Sequence, residues 1–140
     1  MQRAAAALVL ALLTLAAPIM ADDAQRIMTS DDLATLTARA PDHRIPYGSS
    51  PLQYGNLRLP KGAGPHPVVV FIHGGCWMAE YTVSHAAALE QGIADAGYAV
   101  WSLEYRRVGD AGGGWPGTFQ DVAAGADFVR TIASQYALDL

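Results

Sequence analysis

Residues 68–72 (Val-Val-Val-Phe-Ile) are apolar at every position and run directly into His73, Gly74 and Gly75. A strand with no polar position has no face left for water, so this pattern predicts a central strand covered by helices on both sides. The two glycines that follow free the backbone to turn into an exposed loop. Upstream, residues 43–60 combine the alternation Leu57, Arg58, Leu59 with the turn formers Gly48, Ser49, Ser50 and Pro51. This predicts two antiparallel strands of a hairpin at the sheet edge, where proline and glycine are tolerated. Residues 61–65 read as the loop that feeds the apolar strand.

Downstream, residues 82–96 carry Ala86, Leu89, Ile93 and Ala96 at helical spacing, with Glu90, Gln91 and Asp95 off that stripe. Gly97 supplies the C-terminal cap of this helix. Strand character returns over residues 98–105 with Val100, Trp101 and Leu103. Strand, helix, strand makes a right-handed parallel crossover. Residues 106–117 form a glycine-rich loop. Thr118 and Asp121 then have the spacing of a capping box, opening a helix whose apolar stripe is Phe119, Val122, Ala126, Val129 and Ala133. Residues 136–140 lead into a further strand. The fold class expected is α/β, a doubly wound and mostly parallel sheet with an antiparallel N-terminal hairpin.

The first 42 residues fall outside this pattern. Arg3, an uncharged run over residues 4–21 and the small-residue ending Ile19, Met20, Ala21 describe a signal peptide, residues 1–21, cleaved after Ala21. An uncleaved membrane anchor is the competing reading, since the run is close to spanning length. Cleavage implies a secreted or periplasmic protein with no membrane attachment afterwards. Residues 22–42 read as an N-terminal arm or helix, with Ser30, Asp31 and Asp32 capping a short helix over residues 33–39. Residues 43–140 then form the folded part.

Composition narrows the chemistry. A 51% hydrophobic and 16% charged chain can bury a core, and a net charge of −4 with a single lysine, Lys61, offers no basic patch for nucleic acid. Cys76 is the only cysteine, so no intrachain disulfide forms. His43, His66 and His85 have no metal-ligand spacing, and Gly112 to Gly114 does not continue as a phosphate loop, so no metal or cofactor is expected. Asp121 fits the first turn of a helix, where the dipole favours an anion, and Arg106 and Arg107 fit solvated or loop-tying positions.

Taken alone, the stretch His73, Gly74, Gly75, Cys76, Trp77 reads as a tight strand-to-helix turn. In its setting it resembles the His-Gly-Gly oxyanion loop of α/β hydrolases, the serine esterases and lipases of the hormone-sensitive-lipase or formamidase-like kind. The resemblance extends through Asp121 and makes the chain similar to the N-terminal half of such an enzyme. It implies that the backbone N–H groups of Gly75 and Cys76 form the oxyanion hole, with His73, Gly74 and Trp77 as the supporting loop. His73 is then a structural hydrogen-bonder, and Trp77 and Trp115 pack beside the pocket. A small-molecule ester or amide is the implied substrate.

None of the serines lies in Gly-x-Ser-x-Gly, and Cys76 is followed two residues on by Met78 rather than glycine. The resemblance therefore places nucleophile, acid and base beyond residue 140. Two readings stay open: the N-terminal part of a carboxylesterase-like hydrolase, or a catalytically inactive fragment or binding protein on the same scaffold.

Overall fold

The computed structural model describes residues 27, 29, 32 and 35–140. The expected signal peptide, and residues 33 and 34 of the expected helix over residues 33–39, lie outside the described residues. What is described there is local: Thr29 N and Oγ1 donate to Asp32 Oδ2 at 2.8 and 2.9 Å, and Asp32 N donates back to Thr29 Oγ1. Residues 36–40 follow without regular structure, so the helix does not run to Arg39.

Five strands form one mixed sheet: β1 (His43–Pro46), β2 (Tyr54–Arg58), β3 (His66–Ile72), β4 (Ala99–Leu103) and β5 (Leu138–Asp139), in the order β1-β2-β4-β3-β5. The β1–β2 and β2–β4 pairs are antiparallel, while β3 lies parallel to both β4 and β5. Helix α1 (Ala87–Asp95), preceded by a 3-10 turn at Val83–Ala86, links β3 to β4, and α2 (Gly117–Ile132) links β4 to β5. This is the expected α/β sheet with its N-terminal hairpin. No helix of the described residues is long and apolar enough to cross a membrane.

The centre of the sheet is β4, not β3. All five β4 residues are buried, because β4 lies between two full strands and has a helix on each face. Ala99, Trp101 and Leu103 face α2 with Leu57, Val129 and Ile132, while Ser102 on the opposite face hydrogen-bonds Glu90 of α1. On β3, by contrast, Val70 and Ile72 are 36% and 43% exposed. Its outer neighbour β5 pairs only with His66 and Pro67, leaving residues 68–72 without a strand on that side among the described residues. The hairpin is also deeper than expected: β1 is the edge, and β2 is an inner strand with four of its five residues buried. Gly55 explains how β2 tolerates its glycine, since a Cβ there would come within 2.2 Å of the Trp101 ring. The missing side chain makes room for the largest residue of the core.

Both helices depart from their expected stripes. Leu89 is 46% exposed, whereas Glu90 is buried at 1% and bound by Arg58 Nε at 3.1 Å. Helix α1 thus docks by an ion pair as well as by Ala94, and Val83 of the preceding turn is also buried. Phe119 is 49% exposed, and α2 presses Gly125 and Val129 inward instead. A Cβ on Gly125 would lie 2.9 Å from Leu103, and its carbonyl accepts from Trp101 Nε1 at 2.8 Å. Thr118 and Asp121 form no capping box. Pro116 is the N-cap, and Thr118 Oγ1 donates to Arg106 O at 2.5 Å while accepting from Gly114 N at 3.0 Å. These hydroxyl bonds fasten the glycine loop to the end of β4.

Candidate active site at the ends of the parallel strands

In a sheet of this kind, ligands bind beyond the carboxyl ends of the parallel strands. There the chain places residues 73–77 after β3 and residues 104–107 after β4, side by side. The two loops are joined where Val108 N donates to Trp77 O at 2.8 Å.

The first loop is a β-turn over residues 75–78, closed by Met78 N donating to Gly75 O at 2.9 Å. Both central residues have positive φ, 53° at Cys76 and 62° at Trp77. That makes it a turn of the primed kind, built here without glycine at either central position. Each left-handed L-residue costs about 1–2 kcal/mol. Gly75 itself has φ of 115°, and a Cβ on it would lie 2.4 Å from the Tyr81 side chain, so only glycine fits. Gly74 differs from expectation: a Cβ there would meet nothing within 4 Å, and the loop does not depend on its freedom. Neither the Gly75 nor the Cys76 N–H is taken by an acceptor among the described residues. The Cys76 side chain is exposed.

Behind this turn is a buried polar network that sequence reasoning missed. Glu104, 1% exposed, accepts from Val83 N at 3.0 Å and from Tyr105 N at 3.2 Å, and its Oε1 lies 3.2 Å from His73 Nε2. Burial alone would raise the Glu104 pKa, but the bonds from His73 and Val83 N, with the charge of Arg107, hold it below the ordinary carboxylate range. His73 is 2% exposed with Nδ1 2.9 Å from Gly74 O, in keeping with a structural role. Tyr105 stacks on the His73 ring at 4.4 Å and donates its hydroxyl to His73 O at 2.6 Å. Burial, and then the neighbouring Glu104 charge, push its phenol up to about 12. The same ring meets Trp77 at 5.6 Å. Arg107 is buried, binding Asp110 through N and Nε at 2.8 and 2.9 Å and Tyr81 O through a guanidinium nitrogen.

A second anchor sits below. Asp121, 1% exposed, takes Arg106 Nε and Nη2 at 2.7 and 2.6 Å, Arg106 N at 3.1 Å and Gln53 Nε2 at 2.7 Å. Burial would raise its pKa, yet the Arg106 and Gln53 hydrogen bonds bring it below the usual range. Asp121 is therefore a tie between β4, α2 and the hairpin rather than a dipole partner. Arg106 and Arg107 are both loop-tying, and Arg107 is not solvated.

Trp77 is 39% exposed and tilts onto Phe119 at 5.4 Å. Trp115 does not pack: it is 82% exposed and touches Phe119 edge-on. A cavity of about 360 Å³ lined by Leu36, Glu80, Tyr81, Thr82, Ser84 and His85 shares no residue with the turn. The charged signal missed in sequence was Glu104, an acid ending an otherwise apolar strand beside a glycine loop.

Known proteins share this architecture. The profile of the BD-FAE family matches residues 56–140. The chain is 31% identical over 96 residues to a probable isoprenylcysteine alpha-carbonyl methylesterase of Arabidopsis thaliana, covering 68% of this chain and 20% of that protein. It superposes on esterase B of Lactobacillus rhamnosis with a TM-score of 0.65 and 27% identity, over 79% of this chain and 37% of the other. A bacterial heroin esterase gives 0.55 and 28%, over 61% and 27% of the two chains. A bifunctional GH43-CE protein of Bacteroides eggerthii gives 0.59 and 32%, over 68% and 14%. The chain thus spans about a fifth of the curated relative it matches.

Proposed function

Because the chain belongs to the BD-FAE family of esterase-like α/β hydrolases, we propose that residues 43–140 are the N-terminal half of a carboxylesterase-type domain acting on ester or amide bonds. Gly75 and Cys76 supply its oxyanion hole, and a serine beyond residue 140 supplies the nucleophile. The observation that carries this reading is the turn at residues 75–78, where a glycine-only position and an untied pair of N–H groups lie at the end of a parallel strand. Serine Oγ would attack the carbonyl carbon, and the oxygen that gains charge would meet these two donors. One such donor is worth about 3 kcal/mol in the transition state.

The register of β5 supports the same assignment. Leu138 faces His66 and Asp139 faces Pro67. A strand prolonged along β3 in that register reaches the level of His73 about five residues past Leu140. A nucleophile turn at that point would set its serine beside the oxyanion loop.

The test is hydrolysis of short p-nitrophenyl esters by the natural protein that contains these residues and by the 140-residue polypeptide. We expect turnover from the former, abolished by serine-to-alanine replacement in its Gly-x-Ser-x-Gly, and none from the latter. Turnover by the 140-residue polypeptide above its Cys76→Ala variant would move the nucleophile to Cys76 and overturn the assignment. We also propose that the protein is exported and begins at Asp22, which N-terminal sequencing of the mature product checks. An intact Met1 in a membrane fraction would favour the anchor.

A further inference from the structure

The oxyanion loop has no hydrogen-bonded strand or helix of its own over residues 73–77, and two of its residues sit in left-handed backbone without being glycine. Something outside the loop must hold that shape, since a free chain would relax out of it. Val108 N ties Trp77 O at the far end of the loop, and the side-chain contacts to its His73 end converge on two consecutive residues just after β4. The Glu104 carboxylate meets His73 Nε2 at the start of the loop and Val83 N just beyond its end, at 3.2 and 3.0 Å. Tyr105 covers the other side: its hydroxyl binds His73 O at 2.6 Å, and its ring contacts His73 at 4.4 Å and Trp77 at 5.6 Å.

Resting on the oxyanion-hole reading above, we propose that Glu104 and Tyr105 are the positioning residues of this loop, setting the direction of the Gly75 and Cys76 N–H groups through His73, Trp77 and Val83. Neither touches the reacting atoms. Their effect falls on the transition state, because a donor displaced from the oxyanion loses its bond while substrate binding elsewhere is untouched.

Glu104→Gln and Tyr105→Phe in the natural full-length protein test this. Glutamine keeps the shape but has one acceptor oxygen where two are used. Phenylalanine keeps the ring contacts and removes only the hydroxyl that binds His73 O. Each variant should lower kcat at least tenfold with KM within about twofold, and should speed amide hydrogen exchange in the peptide spanning residues 73–83. A residue that merely supports the fold would change the unfolding midpoint and the folded fraction without this kcat-specific loss or loop-confined exchange. If Glu104→Gln does not fold, Tyr105→Phe decides alone. A kcat within twofold of wild type, or loop exchange unchanged while kcat falls, overturns the proposal. Wild-type protein with no ester hydrolysis would sink the functional reading instead, and the exchange comparison, which needs no substrate, would still decide this one.

Discussion

Three neighbouring residues of the loop after β3 have three different tolerances. Gly75 combines φ of 115° with a Tyr81 side chain 2.4 Å from where a Cβ would be. Gly75→Val in the active protein should therefore lower kcat about a hundredfold, in line with loss of one oxyanion donor. Near-normal kcat with unchanged folding would return the loop to a structural turn. Cys76 presents an exposed thiol and contributes only its N–H in our reading. Cys76→Ala and Cys76→Gly should both leave kcat within a few-fold. The glycine variant, freed of a left-handed side chain, should unfold at an equal or higher urea concentration than the alanine variant. Trp77 carries similar strain at φ of 62° but is held by Tyr105 and Phe119, so Trp77→Gly exchanges strain relief for two lost ring contacts.

At the scale of elements, the ion pair that docks α1 is the main departure from an apolar interface. Arg58 and Glu90 side chains are 3% and 1% exposed, and Arg58 also donates to Arg39 O at 2.6 Å. Glu90→Ala should cost about 3–5 kcal/mol in urea unfolding, because it strands a buried guanidinium. Replacing the pair together, Arg58→Met with Glu90→Leu, should recover most of that loss. The elements themselves were legible in sequence: hairpin, strand, helix, strand, helix all follow from periodicity and turn residues. Which strand is central was not legible. Residues 68–72 are all apolar and yet partly exposed, while β4 contains Ser102 and is buried throughout. Apolar pattern reports what a strand tolerates, whereas burial is decided by which neighbours it acquires. The candidate site was legible to the same degree. The glycine loop announced itself, but Glu104 and Asp121 did not, since a carboxylate in sequence carries no sign of the partners that allow it to be buried.

For the whole molecule, the carboxylates set the acid limit of stability. Asp42, Glu104, Asp110 and Asp121 all have folded-state pKa values below their ordinary ones. In acid the unfolded chain therefore binds protons first, so stability is full above about pH 5 and falls as pH drops through the carboxylate range. Tyr105, raised to about 12, gives the opposite limit: its contribution is complete below about pH 10 and lost as pH climbs through the folded value. Urea midpoints across pH should show both limbs, and Asp121→Asn should flatten the acid one. A midpoint independent of pH between 3 and 5 would contradict the carboxylate assignment. The open edge of β3 has a separate effect. As an isolated polypeptide the 140 residues should self-associate, and Val70→Lys should reduce the light scattered at equal concentration.

The position of the loop's clamp in the chain also orders events during synthesis. His73 to Trp77 leave the ribosome before Glu104 and Tyr105 do, by about 30 residues, which is a few seconds at ~5–20 residues per second. Through that interval the glycine segment is a linker between β3 and an unfinished crossover, with nothing to impose left-handed backbone on Cys76 and Trp77. A nascent chain arrested before Tyr105 emerges should be cut by protease within residues 73–82, and one arrested after β4 has cleared the exit tunnel should resist. The shape of the first loop is thus written by the second, and arrives with it.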